Sequence, residues 1–340
     1  MASMPHRVVA LPNRSYQAIA RSEIKKLAAG VGFSNKRLAE VELVVAEMTS
    51  NLVKHTKDGG QILVKQLPDE YKGIELICID NGPGMASASR MMEDGMSSTR
   101  TMGHGLGAIR RLSDDFDIYS QVNWGTIVLS RIYLKRNNLP SKNQLQVRAL
   151  MLAKDGEPVC GDDYTYVTKG NRLKLCVSDG LGHGHDAHLS ASASMESFLT
   201  HQKETPFQQL RLIHTDIKRT RGSVMSIIDV DAGNKQLTYC GVGNISAKLI
   251  SGERSKSLVS YNGIIGHSIP RTIANHVFQW SKNDLLIVHS DGLSSRWDIQ
   301  KYPMILKHDY SILVAAILKD NNRGNDDVTV IAVTQKKTGQ

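Results

Sequence analysis

The chain has few cysteines, and none of them is spaced as a pair of zinc ligands would be. Its 340 residues contain four, at positions 78, 160, 176 and 240. Cys78 and Cys176 lie inside apolar runs that are typical of buried strands. We interpret the cysteines as reduced, structural thiols of a cytoplasmic protein.

The sequence also lacks long apolar runs and concentrated charge of one sign. Its first residues, MASMPHRVVALPNRS, contain no apolar core of a secretory signal. The longest apolar run, Ile312 to Leu318, is far shorter than the about 20 residues that cross a bilayer, and we interpret it as a helix face. The net charge of +9 is spread over both halves without a basic tail. Such a surplus favours acidic partners or nucleotides, whereas no recognised motif supports nucleic-acid binding.

The length favours two domains. With 41% hydrophobic and 22% charged residues, each half can form a core of normal size. The polar segment 135–146 (KRNNLPSKNQLQ) reads as a short link between them. We place the first domain at residues 1–138, the linker at 139–146 and the second domain at 147–340.

An amphipathic helix is predicted over residues 36–56. Glu47 and Asn51 stand four residues apart on it and therefore point the same way. An acid and an amide beside a core are costly unless they have a task, although a solvated polar face is the ordinary alternative. Two strands follow, at residues 60–66 and 74–79.

The second of these strands leads into a glycine-rich turn. Asp80 is followed by Gly82-Pro83-Gly84, a turn in which the backbone can approach a flat ligand closely. A polar stretch, residues 86–102, then precedes a loop with three glycines, Gly103, Gly105 and Gly107. We expect this loop to open a helix at Ala108, whose first N–H groups suit phosphate oxygens.

These motifs occur in the order seen in one ATP-binding family. The segments that carry the resemblance, across roughly residues 8–134, are EMTSN, DNGPGM, MMEDGMSST, GHGLGAIRRLSDDFDI and the later Trp124-Gly125-Thr126. They resemble the Bergerat fold of histidine kinases and Hsp90, and within it the RsbT-like anti-sigma serine kinases of bacterial partner-switching systems. The resemblance implies an α/β sandwich with helices on one mixed sheet.

The same resemblance implies roles for matched positions. Asn51 would hold Mg²⁺ that bridges the ATP phosphates, and Glu47 would be the general base at the substrate hydroxyl. Asp80, helped by Thr126, would accept from the adenine amino group. The remaining positions would shape the base pocket (Gly82, Gly84) or belong to an ATP lid over residues 86–107 with Gly103, Gly105 and Gly107. His104 in that lid either contacts phosphate or acts as a spacer. Phosphoryl transfer needs mainly this kind of positioning and charge neutralisation.

The second half places acidic motifs at the ends of apolar strands. They are Cys160-Gly161-Asp162-Asp163, Asp179-Gly180, Ser290-Asp291-Gly292 and Asp326-Asp327. One such motif alone is usually a plain turn. Four of them brought together would repel one another without a cation, and oxygen-rich clusters of this kind suit Mg²⁺ or Mn²⁺. Two such ions can activate a water for attack on a phosphate.

This pattern resembles the SpoIIE- and RsbX-type metal-dependent (PPM) serine phosphatases over roughly residues 145–335. The segments CGDD, VSDGLGHG, HSDGL and NDDVTVIAV carry the likeness, which implies an α-β-β-α sandwich. Asp179 would bridge two Mg²⁺ or Mn²⁺ ions. Asp162 and the carbonyl of Gly180 would complete one site, and Asp291 and Asp326 the other.

Several roles stay open at this stage. Asp163 and Asp327 are either salt-linked or lie behind the ligands, and His183 and His185 are either general acids or parts of the turn. The first acidic motif is Gly-Asp-Asp where related eukaryotic-type phosphatases usually have Glu-Asp, and no equivalent of a third metal site can be placed. The metal count is therefore open.

The leading hypothesis is an α+β protein that fuses two opposed enzymes. The first domain would phosphorylate a serine or threonine on a STAS-type antagonist, and the second would remove that phosphate. Alternatively, the ATP-binding domain only regulates the phosphatase, or the chain is a binding switch without catalysis. The resemblance also implies a downstream sigma-factor regulator as a partner, possible dimerisation, no membrane partner and a cytoplasmic location.

Overall fold

The computed structural model describes residues 4–68, 71–86, 102–135 and 143–336. The chain divides into two compact units. The N-terminal unit consists of residues 6–139 together with residues 298–319, and the C-terminal unit of residues 1–5, 140–297 and 320–340. Residues 139–142 of the expected linker and residues 87–101 of the expected lid lie outside the described residues, whereas residues 145–146 of the expected linker belong to a strand. The domain limits stay a prediction.

Among its described residues, the N-terminal unit is built on one five-stranded sheet with three α-helices from the range 6–139. In chain order these elements are β1 (Arg7–Leu11), α1 (Gln17–Ala29), α2 (Asn35–His55), β2 (Gly60–Leu67), β3 (Gly73–Asp80), α3 (Met102–Leu112), β4 (Asp115–Gln121) and β5 (Gly125–Tyr133). The sheet order is β1-β2-β3-β5-β4, and all four pairings are antiparallel. The expected mixed sheet is therefore not found. Strands β3 and β4, which α3 connects, run in the same direction. They do not pair with each other, because β5 lies between them.

Helix α2 is shaped by its cap and its apolar stripe. Ser34 precedes the helix, and its hydroxyl accepts a hydrogen bond from the backbone N–H of Arg37 at 3.3 Å. The side chains buried against the sheet and the other helices are Val41, Val44, Val45, Met48 and Leu52. Their spacing leaves Glu47 and Asn51 on the side of the helix that faces α3.

Helix α3 begins earlier than the sequence suggested. The expected glycine loop up to residue 107, with a helix from Ala108, is wrong because the helix already begins at Met102. Gly103, Gly105 and Gly107 are therefore helical. The physical reason is close packing: a Cβ atom on Gly105 would lie 2.7 Å from Glu47 Oε2 on α2.

The C-terminal unit contains two five-stranded antiparallel sheets. The strands are β6 (Leu145–Leu152), β7 (Asp162–Lys169), β8 (Arg172–Gly180), β9 (Ser223–Asp231), β10 (Gln236–Val242), β11 (Ser246–Ser251), β12 (Arg254–Leu258), β13 (His276–Gln279), β14 (Leu285–His289) and β15 (Val328–Gln335). The orders are β13-β10-β9-β8-β7 and β12-β11-β14-β15-β6. Apolar side chains of both sheets form one core, with Leu175 and Ile228 from the first and Leu286 and Ile331 from the second.

Two helices cover the other face of the first sheet. They are α4 (His185–Thr200) and α5 (Pro206–Asp216), and they pack on Cys176, Met225 and Ile227 through a second apolar cluster. The last helix, α6 (Tyr310–Asn321), is apolar and buried from Ser311 to Leu318. Most of it groups with the N-terminal unit. Within the described part of the chain, the helices are all too short or too polar to traverse a bilayer.

Candidate functional sites

A cavity opens beside α2 in the N-terminal unit. Its walls are mostly apolar, and its polar contributors include Asn51, His55, Asp80 and Thr126. A mostly apolar cavity with a few convergent polar groups is typical of a small-molecule site.

Asp80 is held at the end of β3 by two backbone groups. Its Oδ1 accepts hydrogen bonds from the N–H of Gly82 at 2.8 Å and of Thr126 at 3.1 Å. Burial raises the pKa of Asp80, while these hydrogen bonds lower it. The carboxylate is therefore fixed in orientation at the wall of the cavity, as recognition of a flat polar edge requires.

The glycines around Asp80 are needed for close approach of the backbone. Gly84 has φ +68°, and a Cβ atom there would lie 1.9 Å from the carbonyl oxygen of Gln121. Gly125 has φ +121°, and its Cβ would lie 2.2 Å from the carbonyl oxygen of Asp80. Only glycine fits either position, because any side chain would separate the two loops that form the cavity rim.

The structure brings Glu47 and Asn51 together beside Gly105 of α3. Besides its 2.7 Å approach to Glu47, a Cβ atom on Gly105 would lie 3.5 Å from Asn51 Oδ1. Both side chains thus face the first turn of α3, where helix N–H groups lack intrahelical partners. Asn51 lines the cavity, and Glu47 lies beside Gly105 at its edge.

The apolar walls of this cavity were not assigned from the sequence. Met48 and Leu52 of α2, Cys78 of β3 and Leu106 of α3 contribute to them. The helical spacing of α2, which also places His55 four residues after Asn51, could have identified Met48 and Leu52 as neighbours of Asn51. The wall from α3 depends on tertiary packing, for which the sequence held no local signal.

In the C-terminal unit, aspartates from both sheets converge at one end of the sandwich. Asp162 at the start of β7 is the direct cross-strand partner of Asp179 at the end of β8. Asp291 lies two residues after His289, the last residue of β14, and Asp326 lies two residues before β15. The two sheets are joined here because Ser290 Oγ donates to Asp162 Oδ2 at 2.6 Å and accepts from the Thr329 N–H at 2.9 Å.

The pKa values of these carboxyl groups are raised by burial and by the charges of their neighbours. Burial, followed by the charges of Asp162, Asp291, Asp326 and Asp327, raises the pKa of Asp179 to about 9. Burial also raises the pKa of Asp162 to about 7, and Asp327 and Asp291 add to the shift. A group of acids that burial and repulsion keep protonated needs positive charge to ionise.

Neighbouring groups hold the cluster in place. Asp291 Oδ2 accepts from the side-chain amide of Asn244 at 2.8 Å, and Asp327 Oδ1 accepts from the Lys154 N–H at 2.9 Å. Gly180 must be glycine because its Cβ would lie 2.1 Å from the Ala187 carbonyl oxygen. Neither Asn244 nor Lys154 carried a sequence signal.

The structure also describes the acids and histidines whose roles the sequence left open. The Asp163 side chain is buried, and Asp327 Oδ1 accepts from the Lys154 N–H. His183 Nδ1 lies 2.6 Å from Glu157 Oε1, and His185 begins α4. Within the described residues, no three acidic, histidine or cysteine side chains already form a closed ligand group. The ligand assignments therefore stay predictions.

Comparison with known proteins defines the class of each part. Residues 9–132 match the family described as a histidine kinase-like ATPase domain. Residues 169–336 match the family of stage II sporulation protein E (SpoIIE). The chain thus joins a histidine kinase-like ATPase domain to a PPM-type serine phosphatase domain.

Individual relatives specify the type. The serine/threonine-protein kinase RsbT of Bacillus subtilis is 31% identical over 117 residues, 34% of this chain and 87% of RsbT. The phosphoserine phosphatase RsbX of the same species is 29% identical over 152 residues, 44% of this chain and 75% of RsbX. A solved structure described as "The bacterial stressosome: a modular system that has been adapted to control secondary messenger signaling" matches with 27% identity and a TM-score of 0.52. That match covers 56% of this chain and 100% of the other.

The chain belongs to the RsbT/RsbW family of serine-protein kinases through its first domain. It fuses this kinase-like domain to an RsbX/SpoIIE-type phosphatase domain. The sequence-based recognition of both halves is confirmed.

Proposed function

We propose that this protein sets the phosphorylation state of a serine or threonine on a STAS-domain antagonist protein in the cytoplasm. The second domain removes the phosphate, and the first domain transfers it from ATP. The convergence of carboxyls around Asp179 is the observation that carries the proposal. RsbX, which is named a phosphoserine phosphatase, is the relative that supports it.

The carboxylate oxygens gathered around Asp179 are of the kind that binds divalent cations. Asp162 is only 2% exposed, and its Oδ1 has no hydrogen-bond partner among the described residues. Hard carboxylate oxygens of this kind suit Mg²⁺ or Mn²⁺. We assign Asp179 as the bridging ligand. Asp162 and the Gly180 carbonyl complete one site, and Asp291 and Asp326 the other.

The protein's own residues orient these ligands. When bound, two such ions supply an activated water and neutralise charge on the phosphate. Ser290 holds Oδ2 of Asp162, while Oδ1 has no hydrogen-bond partner among the described residues. Asn244 restrains one oxygen of Asp291 in the same way. A ligand oxygen that is already oriented loses less entropy when the site forms.

Removal of metal tests this assignment. We expect wild-type protein to release phosphate from a phosphoserine STAS protein in Mn²⁺ or Mg²⁺ and to lose this activity after treatment with excess EDTA. Readdition of either ion should restore the activity, and titration of the two would identify the preferred one. Full turnover in excess chelator would contradict a metal-dependent reaction.

For the kinase half, we propose that the cavity beside Asp80 receives the adenine of ATP. Asp80 accepts from the adenine amino group, and Thr126 stands beside it with its backbone N–H fixed on Asp80. Asn51 would hold the Mg²⁺ that accompanies the phosphates, and Glu47 would accept the proton of the substrate hydroxyl. Gly82 and Gly84 shape the base pocket. The first turn of α3, with Gly103 and Gly105, would present its helix N–H groups to the phosphates, and Gly107 follows in the second turn.

Gly105→Ala is expected to reduce phosphoryl transfer about tenfold or more, because small displacements of reacting groups are costly. Its Cβ would displace the Glu47 carboxylate, from which it would be 2.7 Å away. Thermal stability should change little, since a flexible side chain can yield. The exposed Gly233, whose Cβ would lie 3.3 Å from Oδ1 of the surface residue Asp231 and outside the ATP-binding unit, provides the control Gly233→Ala. If the two variants transferred phosphate at equal rates, the close contact between α2 and α3 would not be needed for the reaction.

The second candidate is a phosphatase whose ATP-binding domain only regulates it. One observation favours it: residues 298–319 lie in the segment that matches the phosphatase family, yet they group with the ATP-binding unit. Binding of ATP without any phosphoprotein product would select this alternative. A downstream regulator of a sigma factor and a second copy of the chain are further proposed partners.

A further inference from the structure

Residues 298–319, here called the shared segment, pack within the ATP-binding unit although they lie between two acidic motifs of the phosphatase. Asp291 precedes the segment in the chain, and Asp326 follows it. Both flanking stretches belong to the C-terminal unit. The chain therefore leaves the phosphatase acid cluster, contributes to the other unit and returns.

One anchor of the shared segment is a buried ion-pair network on β5. Arg131 donates to Asp309 through both terminal nitrogens, at 2.9 and 3.2 Å, and to Ser311 Oγ at 2.6 Å. Its Nε donates to Glu75 Oε2 at 2.6 Å, and Glu75 also contacts His6. Arg131 is only 3% exposed, so this two-pronged contact is shielded from water and specific in geometry.

A second anchor lies on β4. Asp117 accepts from the backbone N–H of Asp309 at 2.7 Å, and its other oxygen lies 2.9 Å from His308 Nδ1. The His308 ring also meets the edge of Tyr119, with ring centroids 5.4 Å apart. These contacts fix the segment to the strand that leads into the β4–β5 turn.

The third contact reaches the rim of the nucleotide cavity. Lys319 Nζ donates to the carbonyl oxygen of Trp124 at 2.9 Å and lies 4.2 Å from the centre of its indole ring. Tyr302 packs on the same indole with ring centroids 5.7 Å apart. Trp124 thus receives a hydrogen bond, a cation–π contact and an aromatic contact from the shared segment.

The turn that carries Trp124 leads to Thr126 and contacts Pro83, both of which line the cavity. The Asn123 N–H donates to the Pro83 carbonyl at 2.7 Å, and Thr126, two residues after Trp124, donates its N–H to Asp80. The positive charge of Lys319 also lowers the pKa of Asp80, although burial outweighs it. Lys319 is therefore coupled to the group that we assign to adenine recognition.

We infer that the shared segment completes the ATP-binding unit, and that Lys319 positions the β4–β5 turn so that nucleotide binding and phosphatase activity are energetically linked. The link follows from connectivity, because the segment continues at both ends into the chain that carries Asp291 and Asp326. A nucleotide that stabilises one arrangement of the turn also stabilises one arrangement of the shared segment. By the same coupling, a change in the shared segment alters the affinity for nucleotide. The phosphatase part of this inference rests on the proposed function.

The test uses full-length protein with Lys319→Met, the conservative Lys319→Arg and the matched control Lys307→Met, an exposed lysine of the same segment. Two quantities are measured: the affinity for a non-hydrolysable ATP analogue, by calorimetry, and turnover of p-nitrophenyl phosphate with and without the analogue. Free Mn²⁺ is held constant and saturating. Thermal melting confirms that each variant is folded.

We expect the analogue to change wild-type turnover about fivefold or more, the lower end of usual couplings. Lys319→Met should reduce this effect to less than about twofold and weaken analogue binding about fivefold. Lys319→Arg and Lys307→Met should behave as wild type. An analogue that binds but leaves wild-type turnover unchanged, or acts equally on Lys319→Met, would overturn the inference.

Failure of the proposed function has a different signature. If no variant releases phosphate with any metal, the phosphatase proposal fails, and the binding measurement alone decides the rest. Weaker analogue binding by Lys319→Met would then still place Lys319 in the nucleotide site. Equal affinities would overturn that role as well.

Discussion

Asp179→Asn is expected to abolish phosphate release, lowering turnover about a thousandfold or more. Asparagine keeps the shape of the side chain, but it offers a metal ion only one oxygen, which is a weaker ligand than a carboxylate oxygen and carries no charge. Asp179 is the acid on which the charges of four other aspartates act, and we assign it as the ligand common to both ions. Its loss should therefore disable both metal positions together. The measurement is turnover of a phosphoserine STAS protein and of p-nitrophenyl phosphate in saturating Mn²⁺.

The stability of this variant distinguishes a lost ligand from a lost fold. Burial and carboxyl repulsion raise the pKa of Asp179, so ionising it costs folding free energy without a cation. A group with a raised folded-state pKa loses stabilisation as pH rises from its ordinary value towards the folded value. Metal-free Asp179→Asn should thus melt no lower than wild type at neutral pH. The exposed Asp155→Asn is the control. Undiminished turnover by Asp179→Asn would refute the metal assignment.

Asn51→Ala is expected to reduce ATP-dependent phosphate incorporation into a STAS protein about a hundredfold or more, because phosphoryl transfer depends on placing the metal and phosphates. Asn51 lines the nucleotide cavity, and its Oδ1 faces the first turn of α3. The assay is best done in protein that also carries Asp179→Asn, so that product is not dephosphorylated as it forms. Labelled phosphate retained on the STAS protein is the readout.

The control for this variant lies on the same helix. Asn35→Ala changes the same residue type at the exposed first position of α2 and should leave incorporation unaltered. If Asn51→Ala incorporates phosphate as fast as Asn35→Ala, the kinase proposal fails. If even the Asp179→Asn parent binds ATP but labels no STAS protein, the regulatory alternative is preferred.

Elements with a strong local pattern were predictable from the sequence. The strands predicted at residues 60–66 and 74–79 agree to within one residue at each end with Gly60–Leu67 and Gly73–Asp80 of the structure. Helix α2 differs by one residue at each end from the predicted range. Short or edge elements such as β1, β4 and the β11–β12 hairpin were not predicted, because few buried residues mark them.

The residues of the candidate sites were likewise predictable from the sequence only where a local pattern marks them. Aspartates at the ends of apolar strands could be recognised one motif at a time, and pairing of β7 with β8 then places Asp162 opposite Asp179. The supporting residues Asn244 and Ser290 could not be assigned, since they meet the acids only across the sheets. The helical start of α3 was missed because the glycines permit close packing on Glu47, a contact that no local pattern reveals.

The sequence by itself determined the two enzyme-like halves, since strand-end aspartates and glycine turns are local features dictated by backbone geometry and charge. Only the tertiary structure decided that residues 298–319 pack with the ATP-binding unit. That grouping depends on the buried pairing of Arg131 with Asp309 and on the contact of Lys319 with Trp124, between residues far apart in the chain. Desolvated contacts of this kind depend on a geometry that exists only after both parts have folded.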